Sequence, residues 1–403
     1  MSLGKSALPP SAYFTHGGCE ILRPATGDPT VSTWKRVSAY ALAGGRAMYA
    51  VDSDMWGNDR YGNFTETFTD ENGAISGTRE LCPLVSGRFV PTLMELFVGL
   101  DPVGNTLWRG YTKGVFDTTR GDSDGHSEFS RHGTLVLEYS KNGGETFKQA
   151  LNVSNFAHEC NLKQRIIVSC GQMVPLAGGH LLFPFYLQDF DRTDSLTQLM
   201  VLHAIPDAAG DYTWKFSQPV AGKWDNRSFD LTESSIASLA DGKLAIFSRA
   251  ENNEKRGVPP YKWFAVSADG GFHWSEASPL RVAGQHEIFS PSSCGYAVNH
   301  SSGRLFYITN FFHDRTVCHG GGPRYKLDIC EIDPSSMEIL PESLFPIDGQ
   351  QQDEIADLAI SNFWVFEDRA TGEIVVDTPR AYAHVMYPGD IDLRRIRIQV
   401  KVK

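Results

Sequence analysis

The residues whose types could carry chemistry gather between short apolar runs. A long polar segment before Arg324 holds His313-Asp314-Arg315 and His319-Gly320-Gly321-Gly322, and His286 lies earlier on the same stretch. An imidazole titrates near neutrality, so each of these is a candidate proton carrier or ligand contact, in the kind of segment where function collects. Gly320–Gly322 is followed by no helix and is no phosphate loop. Trp56 and Tyr61 lie in a polar loop with faces on which a sugar could stack, whereas Trp263 and Trp364 sit inside apolar runs and read as packing residues. The seven cysteines include no CxxC pair, which argues against a zinc or redox motif, and most of them are expected as buried free thiols. No cofactor and no metal is expected. The formal net charge of -11 argues against a nucleic-acid partner, since phosphate binding needs a basic face. It leaves room for a local basic site.

Those residues need a scaffold, and the scaffold reads as all-β. No run keeps apolar residues at helical spacing over three turns. Many short apolar or alternating runs alternate instead with Gly, Asn, Asp and Pro clusters, as a sandwich, barrel or propeller would require. One unit repeats: a strand, a tight glycine turn, a strand. It occurs at Leu42–Arg46, Asp101–Asn105, Leu176–His180, Leu239–Leu244, His300–Leu305 and Arg369–Ile374. The turn glycines follow one another at roughly 60–70 residues, the period of a four-stranded blade. Six units predict a six-bladed β-propeller formed by residues 1–403 as a single domain. The terminal strand over 390–403 and the segment Tyr13–Leu22 are expected to complete one blade between them and close the ring.

Two segments narrow the class. Ser267-Ala268-Asp269-Gly270-Gly271-Phe272-His273-Trp274 and Ser140-Lys141-Asn142-Gly143-Gly144-Glu145-Thr146-Phe147 each follow a strand. The first matches the S-x-D-x-G-x-x-W Asp-box, and the second carries Asn for Asp and Phe for Trp. The physics is that of a turn: Ser and Asp side chains bond the turn backbone, Gly takes positive φ, and the aromatic ring tucks into the core. Both segments resemble the Asp-box of the sialidase (neuraminidase, BNR-repeat) superfamily. Thr232-Glu233-Ser234-Ser235-Ile236 with Ser248-Arg249, then Phe289-Ser290-Pro291-Ser292-Ser293 with Gly322-Pro323-Arg324-Tyr325-Lys326-Leu327, extends that resemblance into successive blades.

The resemblance implies a site. Sialidases hold a sugar carboxylate with three arginines, and a guanidinium fork suits the two carboxylate oxygens. The matching residues are Arg36, Arg249 and Arg324. Glu233 matches the carboxylate that polarises the family's tyrosine nucleophile. Asp59, with Asp52 and Asp54 as alternatives, would be the general acid, which needs a raised pKa. The stretch matching the nucleophile strand, Asp357–Trp364, contains no tyrosine. Tyr325 could stand in, although strand alternation points it away from Arg324. Three readings follow. The chain is an exo-acting glycoside hydrolase on an anionic, carboxylate-bearing sugar, with Glu233, Asp59 and Asp357 catalytic and Arg36, Arg249, Arg324, Tyr325, Trp56 and His319 binding substrate. It is a polysaccharide lyase acting on a uronic acid with a His or Tyr base. Or it is a carbohydrate-binding propeller without chemistry. The expected partner in each is a carbohydrate, not nucleic acid or a membrane, since no apolar run is long enough to span a bilayer. The N-terminus shows no apolar signal core. The compartment is then secreted or periplasmic if a signal was removed ahead of Met1-Ser2-Leu3, and cytoplasmic otherwise.

Overall fold

A computed structural model describes residues 11–25, 32–55, 62–82, 89–117, 133–162, 165–168, 171–188, 197–251, 257–284, 287–352, 354, 358–382 and 391–401. Nearly all regular structure is β, in six antiparallel sheets that follow one another along the chain, with one small extra hairpin. Blade one runs through Ser32–Tyr40, Met48–Met55, Gly62–Thr69 and Ile75–Cys82. Blade two uses Phe89–Asp101, Thr106–Asp117, Thr134–Ser140 and Lys148–Asn152. Blade three uses Arg165–Val168 and Val174–Pro175 on one edge, then Leu181–Gln188, Gln198–Pro206 and Tyr212–Phe216. Blade four uses Leu231–Ser238, Leu244–Ala250, Lys262–Ser267 and Ser278–Pro279. Blade five uses Tyr296–Asn299, Leu305–Thr309, Lys326–Asp333 and Glu338–Ile339, with Phe345–Gly349 also on its third strand. Blade six begins with Ala359–Ile360 and Trp364–Glu367, continues through Ile374–Ala381 and Ile391–Val400, and takes Phe14–Arg23 as its last strand.

That last pairing closes the ring. Phe14 faces Val400 and Arg23 faces Leu393, so the two chain ends share a sheet as the sequence reading expects. The indole N–H of Trp364 donates to the Ser38 carbonyl at 2.7 Å and ties blade six to blade one. Elsewhere buried rings join neighbours: Trp108 of blade two lies 5.6 Å from Phe183 of blade three.

All six repeated glycine turns join the first and second strands of their blades. Gly179, Gly242, Gly303 and Gly372 take positive φ, as a tight hairpin requires. In blade two the left-handed residue is Asn105 (φ 46°) instead of Gly104, whose added Cβ would meet the Asp101 carboxylate at 2.4 Å. The Asp-box-like segments join third to fourth strands in blades two and four. In each, the serine Oγ accepts from a glycine N–H at 2.9 Å, and Asn142 or Asp269 accepts from a later backbone N–H. One short helix, Val153–Glu159, follows blade two and is capped by Asn152, whose side chain accepts from the Asn155 N–H.

The turns have a consequence for chemistry. Since the first-to-second turns share one end of the ring, the starts of first strands and the ends of second strands share the other. Lys35, Glu233, Arg249, Ser361 and Asn362 lie at or near those positions. So do the segment entering blade five through Ser292 and Cys294 and the one leaving its second strand toward Arg324.

Candidate functional site

Glu233 and Arg249 meet because their strands pair with a bulge at Glu233. Thr232 faces Arg249, and the register then slips so that Ser234 faces Ser248. A bulge re-aims the extra side chain. Glu233 takes φ 30°, which an L-residue adopts only when its surroundings hold it there. Arg249 holds it: Nη1 lies 2.8 Å from Glu233 Oε2, while Nε donates to Thr232 Oγ1 at 3.0 Å and Nη2 to Glu251 Oε1 at 2.6 Å.

Arg324 reaches the same place from blade five. Its Nη2 donates to the Ser292 carbonyl at 2.7 Å, and Arg249 Nη1 donates to that same oxygen at 3.3 Å. Nε and Nη1 of Arg324 donate to the Gly321 carbonyl and to Ser361 Oγ. One carbonyl thus gathers two guanidiniums from neighbouring blades. The carboxylate of Glu251 is drawn in by Arg249 and by Ser292 Oγ at 3.3 Å.

The charge balance follows. Burial alone would raise the Glu233 pKa, but Arg249, a hydrogen bond from Cys294, Arg324 and Lys35 outweigh it and hold the carboxyl below its ordinary range. Burial disfavours the charged form of Arg249, yet Glu233 and Glu251 outweigh it and keep the guanidinium firmly protonated. Arg324 is lowered by burial and by the like charge of Arg249. Lys262, directly across the sheet from Arg249, is buried and pushed down to about 7, first by burial and then by Arg249. Its Nζ donates to the carbonyls of Pro291 and Ser293 and so ties down the turn that holds Ser292. An ionised Glu233 accepts protons and hydrogen bonds; it cannot serve as the general acid. Among the described residues, Arg249, Arg324 and Lys35, with Lys262 behind them, outnumber Glu233 and Glu251 in this cluster.

Of the residues expected in the site, Glu233, Arg249 and Arg324 therefore come together. Arg36 forms a two-point ion pair with the fully buried Asp52, at 2.6 and 2.9 Å, and Arg23 also reaches Asp52. Its chain neighbour Lys35 is the blade-one cation whose charge reaches Glu233. The ring of Tyr325 meets Phe312 edge-on at 5.2 Å and packs against the apolar core. His319 is exposed, and its backbone closes a tight turn with Gly322. Trp263 and Trp364 are buried packing residues, as expected. Asp59, Trp56, Tyr61, His286 and Asp357 lie outside the described residues. All six described cysteines are free thiols. No group of three or more potential metal ligands occurs among the described residues.

Sequence reasoning missed Lys35, Glu251, Lys262 and Cys294. Lys262 left a signal, a lone cation near the start of the apolar run Tyr261–Val266. Cys294 left little beyond its place after Ser290-Pro291-Ser292-Ser293.

The fold and this axial cluster define a six-bladed propeller of the sialidase fold. No protein-family model and no curated protein matches the chain in sequence. Solved structures do match. A protein of unknown function from Dyadobacter fermentans aligns at TM-score 0.59 and 12% identity, over 96% of this chain and 100% of that one. The intramolecular trans-sialidase from Ruminococcus gnavus, solved with oseltamivir carboxylate, aligns at 0.60 and 13%, over 93% and 96%. Trypanosoma rangeli sialidase, solved with the inhibitor DANA, aligns at 0.60 and 15%, over 91% of this chain and 55% of that longer one.

Proposed function

We propose that this protein is an exo-acting glycoside hydrolase for a sugar bearing a carboxylate. The observation that carries the reading is the convergence of Arg249 and Arg324 on the Ser292 carbonyl beside an ionised Glu233. Among the described residues Arg249 has four of its five N–H groups engaged and Arg324 three, so one N–H of Arg249 and two of Arg324 are left to meet a carboxylate. Lys35 adds charge from blade one. Glu233 then acts as the base that activates water, or as acceptor for a sugar hydroxyl, while Asp59 supplies the acid and Asp357 is the second candidate base. The sialidase fold of the solved structures supports a carbohydrate ligand, and sialic acid is the first sugar to try.

A second reading, a binding propeller without chemistry, has its own support. Arg249 is already engaged by Thr232, Glu233, Glu251 and Ser292, as in a site built for rigidity. The lyase reading draws less support, since Tyr325 packs on Phe312 and His319 is exposed. A panel of sialosides and uronic-acid glycans, assayed together for reducing-end release and for ultraviolet gain, separates the three. The hydrolase reading expects release without ultraviolet gain, slowed by about 10²–10⁴-fold in Glu233→Gln. Ultraviolet gain favours the lyase. Sugar binding with neither signal favours the binding module.

A further inference from the structure

The cluster contains a group that the proposed hydrolysis does not use. Cys294 enters blade five between blades four and six, and it is 2% exposed. Its Sγ lies 3.1 Å from Glu233 Oε2 and 3.7 Å from Asn362 Oδ1. Glu233 stands at φ 30°, a position that L-residues avoid, while Asn362 at φ 57° lies in the left-handed region that asparagine tolerates. Strain of this kind persists only where contacts fix it, and it collects at working sites. The sulfur is the contact that the two residues share.

A thiol has one proton to donate. Neither acceptor has a proton to return: Glu233 is ionised, and the amide oxygen of Asn362 only accepts. Glu233 is nearer and charged, and a hydrogen bond to a charged acceptor is the stronger. The thiol proton therefore goes to Oε2, the oxygen that Arg249 also meets at 2.8 Å. Among the described residues Oε1 has no hydrogen-bond partner. The carboxylate is thus pinned by one oxygen and offers the other. Without the thiol, Oε2 would rest on Arg249 alone, and the side chain could turn about its last torsion, which is broad for a carboxylate.

We propose that Cys294 is a positioning residue for Glu233. Its thiol proton fixes the carboxylate with Oε2 turned inward and Oε1 presented to the ligand, and it helps to keep Glu233 ionised. The inference rests on the assignment of Glu233 to the site in the hydrolase reading, but it concerns a hydrogen bond in the ligand-free protein. It can therefore be tested without turnover.

The test is a titration of Glu233 by NMR in protein labelled at the glutamate carboxyl carbons, with Glu233→Gln identifying the resonance. In Cys294→Ala the midpoint shifts upward from the wild-type value. In Cys294→Ser, whose hydroxyl restores a donor, it returns toward wild type. An unchanged midpoint in a folded Cys294→Ala protein would overturn the proposal. Should Cys294→Ala fail to fold, the S–H stretching band serves instead. Taken by Raman difference between wild type and Cys294→Ser, it moves to higher frequency in Glu233→Gln as the bond to a charged acceptor is lost. A band that stays in place refutes the role. Failure to find a sugar substrate would count against the hydrolase and leave this result standing.

Discussion

Replacing Arg249 by methionine tests the electrostatics on which the site depends. Both members of the Arg249–Glu233 pair are largely buried, with side chains 17% and 13% exposed. Removing one partner of a buried pair costs about 3–5 kcal/mol, mainly because a charge is left uncompensated. Glu233 keeps its bond from Cys294 and the fields of Arg324 and Lys35, and Glu251 is 43% exposed and can turn to water. The expected loss is therefore at the low end, about 3 kcal/mol near neutral pH. With unfolding entropy of about 2.1 cal/mol/K per residue, that is only about 3–4 °C in Tm for a chain this long, so urea unfolding is the better assay. The pH dependence carries the diagnosis. Glu233 is depressed in the folded state, so its contribution is fully present above the unfolded carboxyl pKa. It is lost as pH falls through the lower folded value. The deficit of Arg249→Met should shrink as pH falls through the depressed value at which Glu233 gains its proton. In a cycle with Glu233→Gln, the double variant should be less destabilised than the sum of the two, by about 1–3 kcal/mol. A deficit that does not change with pH, together with additive variants, would show that Arg249 acts through packing and not through Glu233.

If the protein hydrolyses anionic glycans, Glu233→Gln should lower kcat by about 10²–10⁴-fold while binding of the same sugar, read by calorimetry, persists. Lys262 is held near 7 against 10.5 for an unburied lysine, so the unfolded chain carries the extra proton between these values. Wild-type stability should therefore rise relative to Lys262→Met as pH goes from about 7 to about 10, measured by urea unfolding across that range. A Cβ at Gly171 would lie 1.8 Å from the Ser234 carbonyl oxygen, next to the bulge that aims Glu233. Gly171→Ala should cost about 1–3 kcal/mol and weaken sugar binding, whereas Gly178→Ala, in open space at a distant turn, should leave binding unchanged.

The ring of blades could be read from one dimension because its signals are local. A tight turn needs glycine or asparagine within a few residues of the strand it ends, and Gly179, Gly242, Gly303 and Gly372 sit at such turns. The serine and the Asn or Asp of the segments at Ser140 and Ser267 bond backbone only a few residues away. Glu233, Arg249 and Arg324 were also legible, through the resemblance of their segments to the sialidase superfamily's motifs. The charges around them were not. Lys35 and Arg36 are adjacent in the chain, and only the fold decides that Arg36 pairs with Asp52 while the charge of Lys35 reaches Glu233. Tyr325 follows Arg324 directly, yet its ring turns to Phe312. Cys294 and Glu233 are separated by 61 positions, and their contact exists because neighbouring blades close around one axis. Sequence fixes what each strand can present; which presented groups meet depends on sheet register and on the closing of the ring, both of which are long-range.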